Sequence, residues 1–419
     1  MPVTFQKSLT PIPARCILDE GFHSLLPDDA VMCISNPPKG QTMKKLRSSL
    51  FLGMLAGGLY LPARSHAQDR EDAAQPAVFV MTNDADRNEV LSYQRASNGQ
   101  LLEGRRFATG GRGSGGGIDP LGSQGSLLVS QNGQYLFAVN AGSGDVSVFL
   151  ILPSGLALTD RQPSGGSEPV AVAQHGNLLY ALNAAGGSNV TGFHINQGRL
   201  SHIENSTRFL TSNEPGGASI SLSADGRFLA VTEKQTNNID VFGVLSDGTL
   251  SPIKVTPGVG PGVFSILFAP NGSALVSETG PSGAINGSAI SSYRVQPDGT
   301  LTPVTSSAPT LGAANCWNAF TPDGRFVYTS NAGSATISGF SIGANGTLTP
   351  LSGTVVGANP SGATNLDITR SSDGKFLYTL NSGNGTIGIF AIQKDGQLTS
   401  FGSAGGISPA SGFNGTAAN

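Results

Sequence analysis

The chain has 419 residues, of which 58 are glycine and 25 are proline, and only 12% are charged. This glycine content is about twice the usual share, which argues against a predominantly helical protein. Hydrophobic residues make up 38% of the chain, which is enough to build a core and excludes disorder caused by low hydrophobicity. The formal net charge of -3 leaves no basic excess for binding a phosphate backbone, so we expect no nucleic-acid partner.

The N-terminal region carries the features of an export signal. Residues 1–42 show no clear periodicity, and we interpret them as an unstructured extension caused by a start-site error, with Met43 as the true start. From Met43 the chain has three cations, then an apolar run over 50–61, then the small-residue sequence Ser65-His66-Ala67. This order is typical of a secretory signal with its cleavage site. The sequence therefore predicts a signal peptide over residues 43–67.

A membrane anchor is the alternative for this segment, but the apolar run is shorter than the ~20 residues that a spanning helix needs. After cleavage we expect a periplasmic or secreted protein that no longer contacts the membrane. Residues 68–76 would then form a linker. The cysteines are Cys16, Cys33 and Cys316, and the first two precede the cleavage site, so a disulfide framework is excluded.

Two short strings recur along the rest of the chain. The first is a turn with a glycine and a nearby leucine, found seven times at intervals of 43 to 56 residues, at Gly99, Gly155, Gly198, Gly248, Gly299, Gly346 and Gly396. The second resembles DGRFVYTSN and occurs six times, at Gly133, Gly176, Gly226, Gly272, Gly324 and Gly374, with a seventh start in AVFVMTN at Ala77. Such a period predicts a repeat architecture.

Each unit contains four short segments rich in Val, Leu, Phe and Tyr, separated by Gly, Asn and Ser, as expected for strands. Four strands per unit of this length indicate a β-propeller blade, whereas a β-helix has a shorter period and a helical solenoid needs 3.6-residue periodicity. We predict an all-β, seven-bladed propeller over residues 77–419, with four antiparallel strands per blade. Because the first unit lacks its innermost strand, we expect Phe413–Ala418 to complete it beside Val78–Thr82 and close the ring.

The strings PDGRFVYTSNAGSATISGFSI, SADGRFLAVTEKQTNNIDVFGVLSDGTLSP and SPASGFNGTAA resemble the seven-bladed lactonase-like propellers. That family includes bacterial 6-phosphogluconolactonase and a fungal carboxymuconate-cyclising enzyme. The resemblance implies opening or forming of a lactone, with a Glu at the end of a second strand and with Arg and His residues around the central channel. Glu233 in LAVTEK matches the Glu. Gly217 and Ala218 stand where the family has Arg and His in the fourth blade, and Val170 stands near the position of its third-blade His.

The repeats point to the same glutamate by internal comparison. The second strands are predicted to end on five asparagines and two glutamates, namely Asn83, Asn140, Asn183, Glu233, Glu278, Asn331 and Asn381. Asparagine is explained by its tolerance of left-handed turn geometry, which glutamate lacks. We therefore predict Glu233 and Glu278 as catalytic residues near the channel mouth, where one carboxyl group could act as a general base. The alternative is that each is a turn residue paired with a loop cation such as Lys234, which is also a candidate substrate contact.

Further candidate contacts come from single residues near the same channel end. Trp317 could stack on a ring ligand, and its neighbour Cys316 is expected to be a buried structural thiol because no histidine is placed to activate it. The loop 109–125 has G-x-G-x-x-G spacing without a following helix, so we interpret it as a lid or linker rather than a nucleotide site. Within it, Arg112 could bind an anion and Gln124 a ligand. The histidine placement predicts no metal site, and no cofactor is expected.

Two functions remain open from the sequence. The first is an exported lactonase-like enzyme acting on a small lactone or sugar acid, with Glu233 as the base and Glu278, Gln124 and Arg112 around the substrate. The second is a propeller that binds a ligand or a protein partner and has lost the family's Arg and His residues. Fold alone cannot decide between them.

Overall fold

The computed structural model describes residues 75–282 and 284–419, and these residues form strands and connecting turns. The predicted extension over 1–42, the signal peptide over 43–67 and most of the linker over 68–76 lie outside the described residues. The described residues contain no helix long and apolar enough to cross a membrane. The strands form seven antiparallel sheets, each a blade of four strands, with one short additional strand in the third blade. The predicted propeller architecture is confirmed.

The strands follow the blades in chain order. Blade 1 comprises β1 (Ala77–Met81), β2 (Glu89–Gln94), β3 (Arg105–Ala108) and β29 (Asn414–Ala418); blade 2, β4 (Leu127–Val129), β5 (Tyr135–Asn140), β6 (Asp145–Leu152) and β7 (Gly155–Pro163); blade 3, β8 (Ser167–His175), β9 (Leu178–Ala185), β10 (Asn189–Asn196), β11 (Arg199–His202) and β12 (Arg208–Phe209); blade 4, β13 (Gly217–Leu222), β14 (Phe228–Glu233), β15 (Asn238–Gly243) and β16 (Lys254–Pro257). Blade 5 comprises β17 (Val263–Phe268), β18 (Ser273–Glu278), β19 (Ala289–Val295) and β20 (Leu301–Pro309); blade 6, β21 (Asn315–Phe320), β22 (Phe326–Asn331), β23 (Thr336–Ile342) and β24 (Leu348–Ala358); blade 7, β25 (Asn365–Arg370), β26 (Phe376–Asn381), β27 (Thr386–Ile392) and β28 (Leu398–Ala404).

The C-terminal strand closes the ring as predicted. β29 pairs antiparallel with β1, with Phe79 opposite Ala417 and Val80 opposite Thr416. Its pairing shifts by one residue near Gly415, which has a φ of 84° that a glycine adopts without cost. The innermost strand of blade 1 therefore comes from the opposite end of the chain to the other three.

The two repeated strings contact each other between neighbouring blades. In three blades a buried tyrosine of the second strand donates its hydroxyl hydrogen bond to the glycine carbonyl of the first string in the next blade. The pairs are Tyr180 to Gly248 at 2.8 Å, Tyr328 to Gly396 at 2.9 Å and Tyr378 to Gly99 at 3.3 Å. The last pair joins blade 7 to blade 1. The sequence repeat thus encodes the interface between blades as well as the blade itself.

The propeller has two faces that differ in their connections. We call the face with the turns between second and third strands, such as 234–237, the upper face; the connections from one blade to the next also lie there. We call the opposite face, with the turns between first and second strands such as 223–227, the lower face. The innermost strands β29, β4, β8, β13, β17, β21 and β25 surround the central channel.

Candidate functional site

The residues that end the second strands have a structural role different from the turn geometry by which the sequence explained the asparagines. All seven are fully buried, and of the five asparagines only Asn83 has a left-handed φ, at 50°. Asn140 and Asn331 instead donate side-chain hydrogen bonds to third-strand hydroxyl groups, to Ser147 at 2.8 Å and to Ser338 at 2.9 Å. The turn explanation is therefore wrong for four of the five asparagines, because these side chains connect strands inside the blade.

Glu233 lies at this position in blade 4 and is also buried, with no exposed surface. Its Oε1 accepts a hydrogen bond from the backbone N–H of Thr211 at 2.9 Å, and its Oε2 accepts one from the Thr211 hydroxyl at 2.5 Å. The hydroxyl of Thr236 donates to the same Oε2. The carboxylate therefore ties the connection from blade 3 and the turn 234–237 to the end of β14.

A second carboxyl group, that of Asp240 on β15, is hydrogen-bonded to Glu233 and is equally buried. Burial, together with the hydrogen bond to Glu233 and the charge of Glu233, raises the pKa of Asp240 to about 9. Burial alone would also raise the pKa of Glu233, but hydrogen bonds from Asp240, Thr211 and Thr236 hold it below its usual value. At neutral pH Asp240 is thus protonated and donates to an ionised Glu233.

The structure therefore contains a carboxyl pair with separated pKa values, but its members are not the two expected from the sequence. Glu278 lies in blade 5, is buried, and accepts a hydrogen bond from the Ser291 hydroxyl at 2.5 Å. Its Oε2 has no hydrogen-bond partner among the described residues and packs against Gly260, where an added Cβ would come within 2.1 Å of it. Neither glutamate is exposed at the channel mouth.

The Glu233–Asp240 pair predicts a pH-dependent stability. An unfolded aspartate loses its proton near pH 4, whereas folded Asp240 keeps it to about pH 9, so the free energy of unfolding falls as the pH rises between these values, by at most about 1.4 kcal/mol per unit. Asp240→Ser introduces the serine that stands at the equivalent third-strand positions 147 and 338. It should remove this slope and make the protein more stable than the parent at pH 8. Urea unfolding from pH 5 to pH 8 measures it.

The double variant Glu233→Gln with Asp240→Ser is the matched control, since it recreates a neutral pair like that of Asn331 and Ser338. Its free energy of unfolding should be as independent of pH as that of Asp240→Ser. Parallel stability curves for the parent and Asp240→Ser would contradict the assignment of a proton to Asp240.

The loop 109–125, which we call the strap, covers the upper end of the channel. Lys234 Nζ donates to the carbonyl of Gly122 at 2.6 Å, and Trp317 Nε1 donates to the carbonyl of Ser123 at 2.8 Å. The Trp317 ring is 1% exposed and packs edge-on against Phe264. In this structure Trp317 and Lys234 therefore hold the strap, and the ring of Trp317 has no free face for a ligand.

The other strap residues have different environments. Arg112 is exposed, and its backbone N–H donates to the Ser143 hydroxyl at 2.9 Å in the neighbouring turn of blade 2. Asp119 is half-buried, and burial raises its pKa despite the nearby charge of Lys234. Burial also raises the pKa of the Cys316 thiol, which is consistent with the predicted structural thiol. Arg112 is thus the one predicted contact that stands free at the upper surface.

The central channel forms a cavity of about 1120 Å³. Its lower end is surrounded by the turns of the lower face, including Gln131 and Ser372. Its upper end is lined by Gln124 of the strap, Asn318 of β21 and Asp367 of β25. Because the strap fills the upper opening, the cavity has its mouth on the lower face, opposite to the face that the sequence favoured.

Asp367 is the titratable group at the closed end of this cavity, and sequence reasoning missed it. Its Oδ2 accepts a hydrogen bond from the Thr416 backbone N–H at 2.7 Å, and its Oδ1 accepts from the Ile368 N–H at 2.9 Å. Burial raises the pKa of Asp367 to about 7, because these hydrogen bonds offset only part of the cost of ionisation. A carboxyl group with this pKa is suited to proton transfer near neutral pH.

Two neighbouring side chains complete the polar lining. The Asn318 amide is 1% exposed, and neither its Oδ1 nor its Nδ2 has a hydrogen-bond partner among the described residues. Arg370 follows Asp367 on β25, donates through Nε to the Phe320 carbonyl at 3.0 Å, and forms no ion pair within the described ranges. Burial lowers the pKa of this guanidinium, which nevertheless stays charged. The cavity thus offers an unpaired amide and an unpaired cation.

A different comparison of the repeats would have found this site. Among the seven innermost strands, Asp367 is the only aspartate and Arg370 the only arginine. The second strands end on buried residues inside the blades. The innermost strands instead carry the side chains that line the channel. As for metals, no group of three or more His, Cys, Asp or Glu residues in the described ranges could hold an ion.

Comparison with known proteins agrees with this architecture. Residues 266–365 and 289–409 match the family described as lactonase, 7-bladed beta-propeller. No curated protein matches the sequence. Similar solved structures include a "putative 6-phosphogluconolactonase" from Bacteroides fragilis, with 20% identity, a TM-score of 0.62, and coverage of 82% of this chain and 98% of that one. Another is the periplasmic gluconolactonase PpgL of Pseudomonas aeruginosa, with 18% identity, a TM-score of 0.60, and coverage of 81% and 99%.

At these identities the solved structures establish the fold alone, while the family match covers the last three blades. Together they confirm the resemblance predicted from the repeats. The chain is a seven-bladed β-propeller whose residues 266–409 match the lactonase family.

Proposed function

We propose that the protein opens or forms a lactone on a small carboxylated or sugar-acid substrate bound in the central cavity. The observation that carries the proposal is Asp367, a carboxyl group with a pKa of about 7 at the closed end of a cavity of about 1120 Å³. The unpartnered amide of Asn318 beside it supplies a hydrogen-bond donor that a ligand oxygen could accept. The lactonase-like family supports a small-molecule substrate.

In the hydrolytic direction, ionised Asp367 accepts a proton from a water molecule as the water oxygen attacks the lactone carbonyl carbon. The Asn318 amide donates to the carbonyl oxygen, where negative charge develops. The ring C–O bond then breaks, and the leaving alkoxide takes the proton back from Asp367. Arg370, nearer the mouth, binds the carboxylate of the substrate. Ring formation is the reverse sequence with the same residues.

Glu233, which the resemblance predicts as the base, is the alternative to Asp367 for the same reaction. Its surroundings favour Asp367 instead: Glu233 has no exposed surface, and Thr211, Thr236 and Asp240 already donate to its carboxylate. These donors hold the pKa of Glu233 below its usual value and make it a weak base, whereas Asp367 has a raised pKa and lines the cavity. Comparison of the two carboxyl groups in a single assay separates the alternatives.

A propeller that binds without catalysis is the second candidate function. It is favoured by Gly217, Ala218 and Val170, which stand at the positions where the resemblance implies Arg and His. These three residues are buried and cannot replace the missing cation or the missing proton donor. Binding of a small acid in the cavity without turnover is the result that this function predicts.

The test is a panel of lactones incubated with the purified mature protein, with acid release followed by a pH indicator or, in buffered assays, by chromatography. We expect turnover whose kcat/KM rises as the pH increases through 7, because Asp367 must lose its proton to act as a base. Calorimetric titration with the corresponding acids runs in parallel. Absence of turnover on every lactone, with measurable acid binding, would contradict the enzymatic proposal and support the binding function.

We also propose that the protein is exported to the periplasm or secreted after cleavage behind Ala67. The cations, apolar run and cleavage sequence of residues 43–67 support this, and a similar propeller is described as periplasmic. Mass spectrometry of the protein recovered from the periplasm or the medium should give Gln68 as the first residue. A mature N-terminus at Met1, or recovery from the cytoplasm alone, would contradict export.

A further inference from the structure

The strap is the connection from blade 1 to blade 2, and its last residues enter the channel. The backbone N–H of Gln124 donates to the carbonyl of Ala218 in blade 4 at 2.9 Å, and Ser123 donates its hydroxyl to the carbonyl of Val170 in blade 3 at 2.9 Å. With the bond from Trp317 of blade 6 to Ser123, the strap is attached to three blades across the channel. Gln124 is therefore held at a fixed depth.

The side chain of Gln124 is fixed as firmly as its backbone. Its Nε2 donates to the carbonyl of Asn318 at 2.8 Å, and its Oε1 accepts the N–H of the same residue at 3.1 Å. The amide plane is thus set by two hydrogen bonds to one backbone unit. The second hydrogen of Nε2 is directed to Asp367 Oδ1, at a distance of 3.4 Å.

Asp367 is consequently held by two segments from different parts of the chain. The closing strand β29 contributes the N–H of Thr416, and the strap contributes the amide of Gln124. The first is a backbone donor that no side-chain substitution removes. Gln124 is the only described side chain that donates to this carboxyl group.

We infer that Gln124 is a positioning residue for Asp367 and not the substrate contact that the sequence suggested. This inference rests on the proposed function for its effect on catalysis, but the contact itself can be tested without turnover. Gln124 stabilises the ionised form of Asp367 and fixes its orientation towards Asn318, so the strap contributes to the site from behind the carboxyl group. A substrate in the cavity approaches Asp367 from the side away from the strap.

The direct experiment is an NMR titration of mature protein labelled with ¹³C-aspartate, with the Asp367 signal assigned by its loss in Asp367→Asn. Gln124→Met keeps the length of the side chain and removes the donor, so the titration midpoint of Asp367 should rise by roughly half a pH unit or more. Gln124→Glu should raise it further, because it adds a neighbouring carboxylate. Gln393→Met is the matched control: Gln393 follows β27 in blade 7, the blade of Asp367, and its side chain donates to the Thr399 hydroxyl, so the midpoint should not move.

An unchanged midpoint in both Gln124 variants would overturn the inference. The second readout uses any lactone that the parent turns over: in Gln124→Met the pH profile of kcat should move upward with the midpoint while KM changes little. A large rise in KM with an unmoved profile would instead make Gln124 a substrate contact and overturn the inference. Absence of turnover in the parent would defeat the proposed function and leave the NMR result to decide the contact.

Discussion

Replacement of Asp367 by asparagine is expected to lower kcat on any lactone that the protein turns over by about 10²-fold or more, the scale of losing a general base. Asparagine has the same shape and keeps an oxygen that can accept one of the backbone hydrogen bonds from Thr416 and Ile368. It also removes a buried ionisable group, so the fold should be retained. Steady-state kinetics of the purified mature variant, with circular dichroism as the check on folding, measure this effect.

Glu233→Gln in the same assay is the matched comparison, because it likewise exchanges a carboxylate for an amide of equal size. We expect its kcat to stay within a few-fold of the parent, because Glu233 is closed off by Thr211 and Thr236. The opposite pattern, with a large loss in Glu233→Gln and full activity in Asp367→Asn, would return the general base to the residue that the sequence predicted and remove Asp367 from the mechanism.

Deletion of residues 414–419 should lower the melting temperature by roughly ten degrees or more, since a loss of several kcal/mol has that effect on a domain of this size. β29 is the innermost strand of blade 1, and four of its five residues are buried. Its loss exposes the edge of β1 and removes the Thr416 N–H from Asp367, so any lactone turnover should fall as well. Differential scanning calorimetry gives the melting temperature directly.

Deletion of Asn419 alone is the graded control. It removes the hydrogen bonds to the Ala77 N–H and the Gln75 carbonyl but leaves β29 in place, so the change should be a few degrees at most. Equal melting temperatures for the parent and the 414–419 deletion would show that the closing strand contributes nothing to stability, against the ring closure described above.

The fold could be predicted almost completely because both residues of the tyrosine–glycine contacts between blades belong to strings that repeat in the sequence. The tyrosine of one string and the glycine of the other meet between blades, as Tyr328 and Gly396 do, so the strings recur together. The missing inner strand of blade 1 followed from the same count. The predicted segment Phe413–Ala418 is one residue longer than β29, because no periodicity marks that the pairing, after its shift near Gly415, ends at Asn414.

The site was less predictable, because the place of a residue in the repeat does not show whether its side chain is buried. Glu233 differs from the asparagines at the equivalent positions, but its partner Asp240 lies on the next strand and its donor Thr211 lies in the connection from blade 3. Asp367 depends on contacts with Gln124 and Thr416, which are 243 and 49 residues away in sequence. The closing of the upper face by the strap depends on contacts with Ala218 and Trp317, and no local pattern indicates those.

The proposed small-molecule site is the central cavity, entered from the lower face and closed above by the strap. The most direct test is a crystal structure of the mature protein soaked with the acid product of whichever lactone it turns over, or with a six-carbon sugar acid. We expect ligand density between Asp367 and Asn318 at the inner end, with the carboxylate that derives from the lactone carbonyl within hydrogen-bond distance of the Asn318 amide. Density at the upper face beside Glu233 and Glu278, with the central cavity empty, would contradict it.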